Sequence, residues 1–274
     1  MNFNELVMNI TEDKYVDRYA IIKAARIINP DFSEKSIYWL LDQMMDSGLL
    51  VRVGRNKYSI KKDGRISKQY QYQYSDKMQK IISALEDEFP LINFQAWESI
   101  QFNYFVNHQI AHNTLFVEVE NQLEISVYEF LRDRFDGNVL LKPDINIYNL
   151  YASDETIVVL NLVTETPTDK NNKHGVLLEK LLVDMMTNKL ITMFVSRSEY
   201  TYVFENAFYM YCIDESKMFR YAKRRNADKR IIEFIMKNTK VNLITEENYV
   251  RPKYIRNKTH TRNSSEQRKR SYSN

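Results

Sequence analysis

Apolar residues return every three or four positions through the first fifth of the chain, a spacing that predicts helices. Tyr19, Ile22, Ala25 and Arg26 fall at helical spacing, Ile21 and Ile28 extend the apolar face, and Asn29-Pro30 stops it. Ser33 offers an N-cap to the next helix, in which Ile37, Leu40, Leu41, Met44 and Met45 form a stripe running to Gly48. With an earlier helix near the start, this is the third. Leu50-Val51-Arg52-Val53, then Gly54-Arg55-Asn56-Lys57, then Tyr58-Ser59-Ile60 read as strand, turn, strand. Helices followed by a basic-tipped hairpin predict a winged helix-turn-helix over residues 1–65.

The run Lys68-Gln-Tyr-Gln-Tyr-Gln-Tyr74 breaks the periodicity and predicts a linker over 66–77. Beyond it, Met78, Ile81, Ile82 and Leu85 mark a helix that closes near Pro90. Thr114 to Val119, Val139 to Leu141 and Ile157 to Val163 read as short strands, with Leu123, Val127, Phe130 and Leu131 forming a helix between the first two. After the polar loop Thr164 to Lys173 the pattern is helical, with breaks near Asn188, Arg197 and Cys212-Ile213. The expected architecture is therefore α+β: the winged helix, then an α/β domain over 78–240 with a small mixed sheet and a helical C-terminal half. Residues 241–274 read as a basic, disordered tail, because Arg251, Lys253, Arg256, Lys258, Arg262, Arg268, Lys269 and Arg270 stand among polar residues with little to bury.

Composition removes several functions. The chain has only 5 glycines in 274 residues, none at P-loop or dinucleotide-fold spacing, which sets aside ATPase and NAD-dehydrogenase chemistry. Cys212 is the single cysteine, so no disulfide or Cys-based zinc site can form within one chain, and a reducing cytoplasmic setting is expected. No secretory leader and no membrane-spanning run of about 18 apolar residues is expected either. The net charge of +3 hides a segregation: residues 69–216 carry 10 basic and 22 acidic side chains, whereas 217–249 carry 9 and 4 and 250–274 carry 8 and 1. Basic ends around an acidic body suggest polyanion contacts at those ends.

The strongest chemical signal is the wing. Residues 49–68 hold Arg52, Arg55, Lys57, Lys61, Lys62, Arg65 and Lys68 against Asp63 alone. Arg55 and Lys57 at the turn are expected to meet phosphates, while Lys35, Ser36 and Tyr38, on the early turns of the third helix, could reach base edges in a major groove. A winged helix used only for protein contact is the alternative. Further along, Lys217, Arg220 and Arg224 align on one helix face with Lys223 and Arg225 beside them, either a solvated face or a surface for a polyanion or acidic partner. The helix from Val176 to Met186 buries Leu177, Leu178, Leu181, Leu182 and Met185, with Lys180 and Asp184 as an i, i+4 pair on the other side.

Two weaker constellations read as surface chemistry. His108 and His112 would share a helix face, but the glutamate of a metalloprotease motif is missing, and loop histidines are expected. Glu118 and Glu120 would face one side of a strand, with Pro143-Asp144 and Val158-Val-Leu-Asn-Leu162 loosely matching a PD-(D/E)xK nuclease. The acid-x-lysine of that motif is replaced by Leu160-Asn161-Leu162, so no catalytic residue, metal or cofactor is assigned.

Taken together, the chain resembles the AbiEi-type antitoxins of bacterial type IV toxin-antitoxin systems over about residues 10–236. The resemblance is carried by Asp46-Ser-Gly-Leu-Leu-Val-Arg-Val-Gly-Arg-Asn-Lys-Tyr58, by Phe116-Val-Glu-Val-Glu120, by Leu178-Glu-Lys-Leu-Leu-Val-Asp184, and by Phe204-Glu-Asn-Ala-Phe208 with Tyr221-Ala-Lys-Arg-Arg225. It implies a non-enzymatic protein whose winged helix represses its own operon on duplex promoter DNA. The C-terminal domain would counter a nucleotidyltransferase-like toxin, with no stable complex required. A PD-(D/E)xK-like nuclease and a plain winged-helix transcription factor with a ligand-binding or dimerising body are the competing expectations.

Overall fold

The computed structural model describes residues 3–10, 15–47, 49–60, 70–135, 138–169 and 172–243. Helix α1 (Phe3–Met8) packs on α2 (Arg18–Ile28), which Asp17 caps by accepting a hydrogen bond from Ala20 N at 2.8 Å. A 3-10 turn (Glu34–Ser36) leads into α3 (Ile37–Asp46), and β1 (Leu50–Gly54) pairs antiparallel with β2 (Lys57–Ile60). The predicted stripe is the buried one: Ile37, Leu40, Leu41 and Met44 close on Ile21, Ala25, Leu6 and Leu50. Val16 bridges Tyr58 through reciprocal backbone hydrogen bonds of 2.8 and 2.9 Å, fastening the hairpin to the entry of α2.

The second core belongs to an α/β body with the expected mixed sheet. Strands β3 (Phe94–Glu98), β4 (Thr114–Val119), β5 (Val139–Leu141) and β6 (Thr156–Asn161) lie in the order β3-β4-β6-β5. β3 runs antiparallel to β4, whereas β4, β6 and β5 are mutually parallel. Strand alternation sends Phe94, Ala96, Leu115, Val117, Val119, Ile157 and Val159 to one face, where they meet Met78, Ile81 and Leu85 of α4 (Asp76–Glu88) and Val127 and Leu131 of α5 (Glu124–Arg134). Trp97, Phe116 and Glu118 point to the other face. That side carries α7 (Leu178–Thr187), α9 (Glu215–Arg224) and α10 (Asp228–Asn238), α10 packing on α8 (Tyr200–Met210).

Three expectations change. β3 was not anticipated, because Gln95 and Glu98 interrupt its apolar run, yet all of its residues are buried. The end of the expected linker is part of the body: Tyr70 is buried against Phe105 and Tyr211, Tyr74 donates its hydroxyl to Ala96 O at 2.7 Å, and Ser75 caps α4. Burial pushes the Tyr70 and Tyr74 hydroxyls above the ordinary phenol range. Lys180 and Asp184 do not face solvent, since α7 is buried on every side from Leu178 to Met185. Residues 61–69 and the basic segment from 244 onward lie outside the described residues, as do Lys61, Lys62, Arg65 and Lys68. Among the described residues no helix is long and apolar enough to cross a membrane.

Leu181 is fully buried in α7. Leu181→Ala should cost about 2 to 5 kcal/mol by leaving a cavity, measured by urea denaturation; an unchanged midpoint would contradict its place in the core.

Candidate nucleic-acid interface and a buried ion cluster

The wing turns over two residues, Arg55 and Asn56, with Gly54 opposite Lys57. Asn56 takes a φ of 55°, a left-handed conformation that Asn tolerates better than most residues, and its Oδ1 accepts a hydrogen bond from Arg18 N at 3.2 Å. Arg55 is exposed at the tip, Arg52 is exposed and donates to Gly54 O at 3.3 Å, and Lys57 is half-buried. Lys35 and Ser36 sit in the 3-10 turn capped by Ser33, not in α3, which begins at Ile37. Tyr38 lies on the first turn of α3, 63% exposed, and accepts a 2.6 Å hydrogen bond from Arg18, whose guanidinium also sits 5.4 Å from its ring centroid. Trp39, 61% exposed beside it, was missed by the sequence reading. It stands off the Ile37-Leu40-Leu41-Met44 stripe, and that offset was the available signal.

Helix α9 packs against β1. A side chain at Gly54 would stand 3.7 Å from Lys57 Cβ and 3.8 Å from the hydroxyl of Ser216, near the start of α9. Tyr15 is drawn into the same corner: burial, then Glu215 and Cys212, push its hydroxyl up to about 12. Lys217, Arg220, Lys223 and Arg224 are exposed, as expected of a charged face. Arg225 departs from that face. It is half-buried, with its Nε 3.1 Å from Thr187 Oγ1 and 3.5 Å from Asp184 Oδ1. Position 225 follows the last turn of α9, where the chain bends and carries the side chain toward α7.

Asp184 belongs to an ion cluster at the heart of the body. The Lys180 ammonium lies 2.6 Å from Glu118 Oε1 on β4 and 2.6 Å from Asp184 Oδ2 one turn along α7, with no side-chain exposure. Trp97 Nε1 donates to Glu118 Oε1 at 2.8 Å, and Tyr221 donates its hydroxyl to Asp184 Oδ1 at 2.9 Å. Burial alone works against the charged form of Lys180; Asp184 and Glu118 outweigh it and hold the ammonium above the ordinary lysine range. The cluster opens at one edge into a cleft of about 180 Å³ lined in part by Lys142, Asn161, Asn188 and Arg225.

Residues 36–241 match a family of unknown function, DUF6577. The chain belongs to that family. The match begins at Ser36, so in this DUF6577 chain it takes in α3, the wing and the described body. No curated protein matches. Among solved structures, the crystal structure of the RV2827C protein from Mycobacterium tuberculosis is similar at 9% identity, covering 86% of this chain and 80% of that one with a TM-score of 0.24. At that score the likeness carries no argument.

The remaining candidates of the DUF6577 chain are dispersed. His108 and His112 lie in a loop rather than a helix; His108 Nδ1 is 2.7 Å from Glu199 Oε1, and His112 Nδ1 is 4.0 Å from Asp154. Glu120 lies past the end of β4 and accepts from Asn93 N at 3.3 Å, while Asp144 caps α6 (Ile145–Tyr151) through Ile147 N at 2.8 Å. Glu118 and Glu120 therefore serve different neighbours. Among the described residues no group of three or more His, Cys, Asp or Glu is placed to hold a metal ion.

A second buried acid lies at the start of α7. Glu179 accepts a 2.7 Å hydrogen bond from Asp214 N, and burial pushes its carboxyl up to about 7 despite that bond and the nearby Lys217. Between pH 4.5 and about 7 the folded chain keeps a proton that the unfolded chain has released. Its contribution to stability is thus complete below 4.5 and declines as pH rises to about 7. Glu179→Gln keeps an acceptor for Asp214 N but does not titrate, so its stability relative to the parent should improve by up to ~3 kcal/mol across that window. Denaturation curves at several pH values check this; a pH-independent difference would refute it. Lys180→Met leaves two buried carboxylates without their cation and should cost about 3 to 5 kcal/mol. A loss below ~1 kcal/mol in urea melts at neutral pH would mean that the cluster is not held by charge pairing.

Proposed function

We propose that this DUF6577 chain works as an AbiEi-type antitoxin, a winged-helix autorepressor of its own operon whose body counters a nucleotidyltransferase-like toxin. The observation that carries the DNA-binding half is the wing tip. Arg55 projects from a two-residue turn anchored by Asn56 to the start of α2, with Arg52 exposed on the same hairpin. Arg18 ties the start of α2 to Tyr38 on α3, so the helix-turn-helix and wing are braced as one surface. Such bracing suits phosphate contacts, which fix register on a duplex before any base is read. Ser36 and Tyr38 then take the discriminating role.

The toxin-countering half rests on the resemblance in the body segments Leu178–Asp184 and Tyr221–Arg225. In this reading those segments carry no catalytic step, and the partner is the toxin or what the toxin acts upon. A winged-helix transcription factor with a ligand-binding body is the second reading, favoured by the cleft beside the ion cluster.

Gel-shift titrations of the DNA upstream of its own gene, against scrambled DNA at two salt concentrations, test the first half. Arg55→Ala should weaken binding to both DNAs and reduce the slope of log affinity against log salt by about 0.9, the value for one phosphate contact. Tyr38→Ala should instead reduce the preference for the upstream DNA. No preference in the parent protein together with an unaltered slope in Arg55→Ala would make the winged helix a protein-contact module.

A further inference from the structure

The cleft beside the ion cluster sits at the carboxyl ends of the parallel strands β4 and β6, where open α/β sheets present their ligand sites. Its polar groups are unevenly engaged. Arg225 uses Nε toward Thr187 and Asp184, and among the described residues its two terminal nitrogens make no hydrogen bond. Glu118 takes both Trp97 and Lys180 on Oε1, and its Oε2 likewise has no hydrogen-bond partner among the described residues. A free guanidinium fork matches a carboxylate, and a free carboxylate oxygen matches an ammonium or amine donor.

Charge narrows the ligand further. Among the residues that line the cleft Lys142 and Arg225 balance Glu118 and Asp184, and the ion-pair partners behind them, Lys180 and Glu124, balance each other. A bare anion or cation would leave this partly buried site charged, whereas a dipolar molecule without net charge preserves the balance. At about 180 Å³ the cleft is smaller than the roughly 300 Å³ at which drug-sized pockets begin, a size that suits a ligand of a few heavy atoms. We propose that the cleft binds a small zwitterion of α-amino-acid size, its carboxylate on Arg225 and its amino group on Glu118.

Helix α9 gives that ligand a route to the wing. Ser216 near its start stands at Gly54, while Tyr221 and Arg225, one to three turns on, reach the cleft. A molecule gripped by Arg225 biases the end of the helix against which β1 rests. The ligand is therefore an effector of DNA binding, a consequence that rests on the reading above; the binding itself does not.

Isothermal titration of the full chain with each standard α-amino acid, and separately with inorganic phosphate and methylammonium as singly functional probes, tests the site. At least one amino acid should bind about tenfold or more tighter than either probe, and Arg225→Gln should weaken it at least about tenfold. Arg225→Lys, which keeps the charge without the fork, should fall between. Glu118→Gln, checked for a cooperative melt, should weaken the amino acid at least about tenfold, and unmoved affinity would overturn the amino contact; where it does not fold, Arg225→Gln at the edge of the cleft decides the site. No amino-acid binding up to about 10 mM, phosphate binding equally well, or affinity unmoved by Arg225→Gln would each overturn the site. If the site binds, gel shifts at saturating amino acid should show a changed affinity for the upstream DNA. Unchanged affinity overturns the effector role, whereas a parent protein that binds no DNA overturns the reading of the winged helix and leaves the site standing.

Discussion

An ammonium group without solvent, held between two carboxylates from different elements, decides how the body of this protein is assembled. Lys180 and Asp184 come from α7, Glu118 from β4, and Tyr221 and Arg225 arrive from α9 and the residue after it. Burying three charges costs several kcal/mol per ion unless each finds its partners, so the helices can pack on the sheet in very few registers. Apolar contacts on this face, such as the Trp97–Phe116 stack at 3.9 Å, tolerate small slides that the charges do not. Lys180 also fills the space between two acids that a metal ion could otherwise occupy. A metal-dependent reaction at these carboxylates would first have to displace it.

From that anchor the fold propagates outward through α9. Its C-terminal end closes the ion cluster, its buried start accepts the corner formed by Gly54 and Tyr15, and Asp214 caps it while donating its own N–H to Glu179. The winged helix and the body have separate apolar cores, and α9 lies outside both while packing on β1 of the first and on α7 and α10 of the second. A substitution in α9 therefore reaches both parts. The low glycine content fits this close construction, with Gly54 the position at which β1 meets the helix.

Local pattern was enough for elements whose partners lie nearby in sequence. The α3 stripe, the hairpin and the α4 face were readable because 3.6- and 2-residue periods report which side is buried. The ion cluster was not readable, because an i, i+4 Lys–Asp pair looks the same whether it faces water or a glutamate 62 residues away. β3 hid for a related reason: Gln95 donates to Pro167 O and Glu98 accepts from Ser75 N and Asn113, so distant partners make its polar residues fit to bury. The tyrosines at 70 and 74 read as linker in sequence because alternating Gln masks their anchoring. Arg225 is indistinguishable in sequence from the exposed cations beside it, and only the bend after α9 turns it inward.

The two tryptophans divide between the winged helix and the body in a way that makes the molecule its own optical instrument. Trp97 is fully enclosed beside the ion cluster, stacked on Phe116 and 5.5 Å from the Lys180 ammonium, whereas Trp39 stands in water on the outward side of α3. Enclosed indoles emit toward the blue and solvated ones toward the red, so the two ends of the protein report in different parts of one spectrum. Quenching by iodide selects the signal of α3, and the residual emission follows the body, without any label being attached.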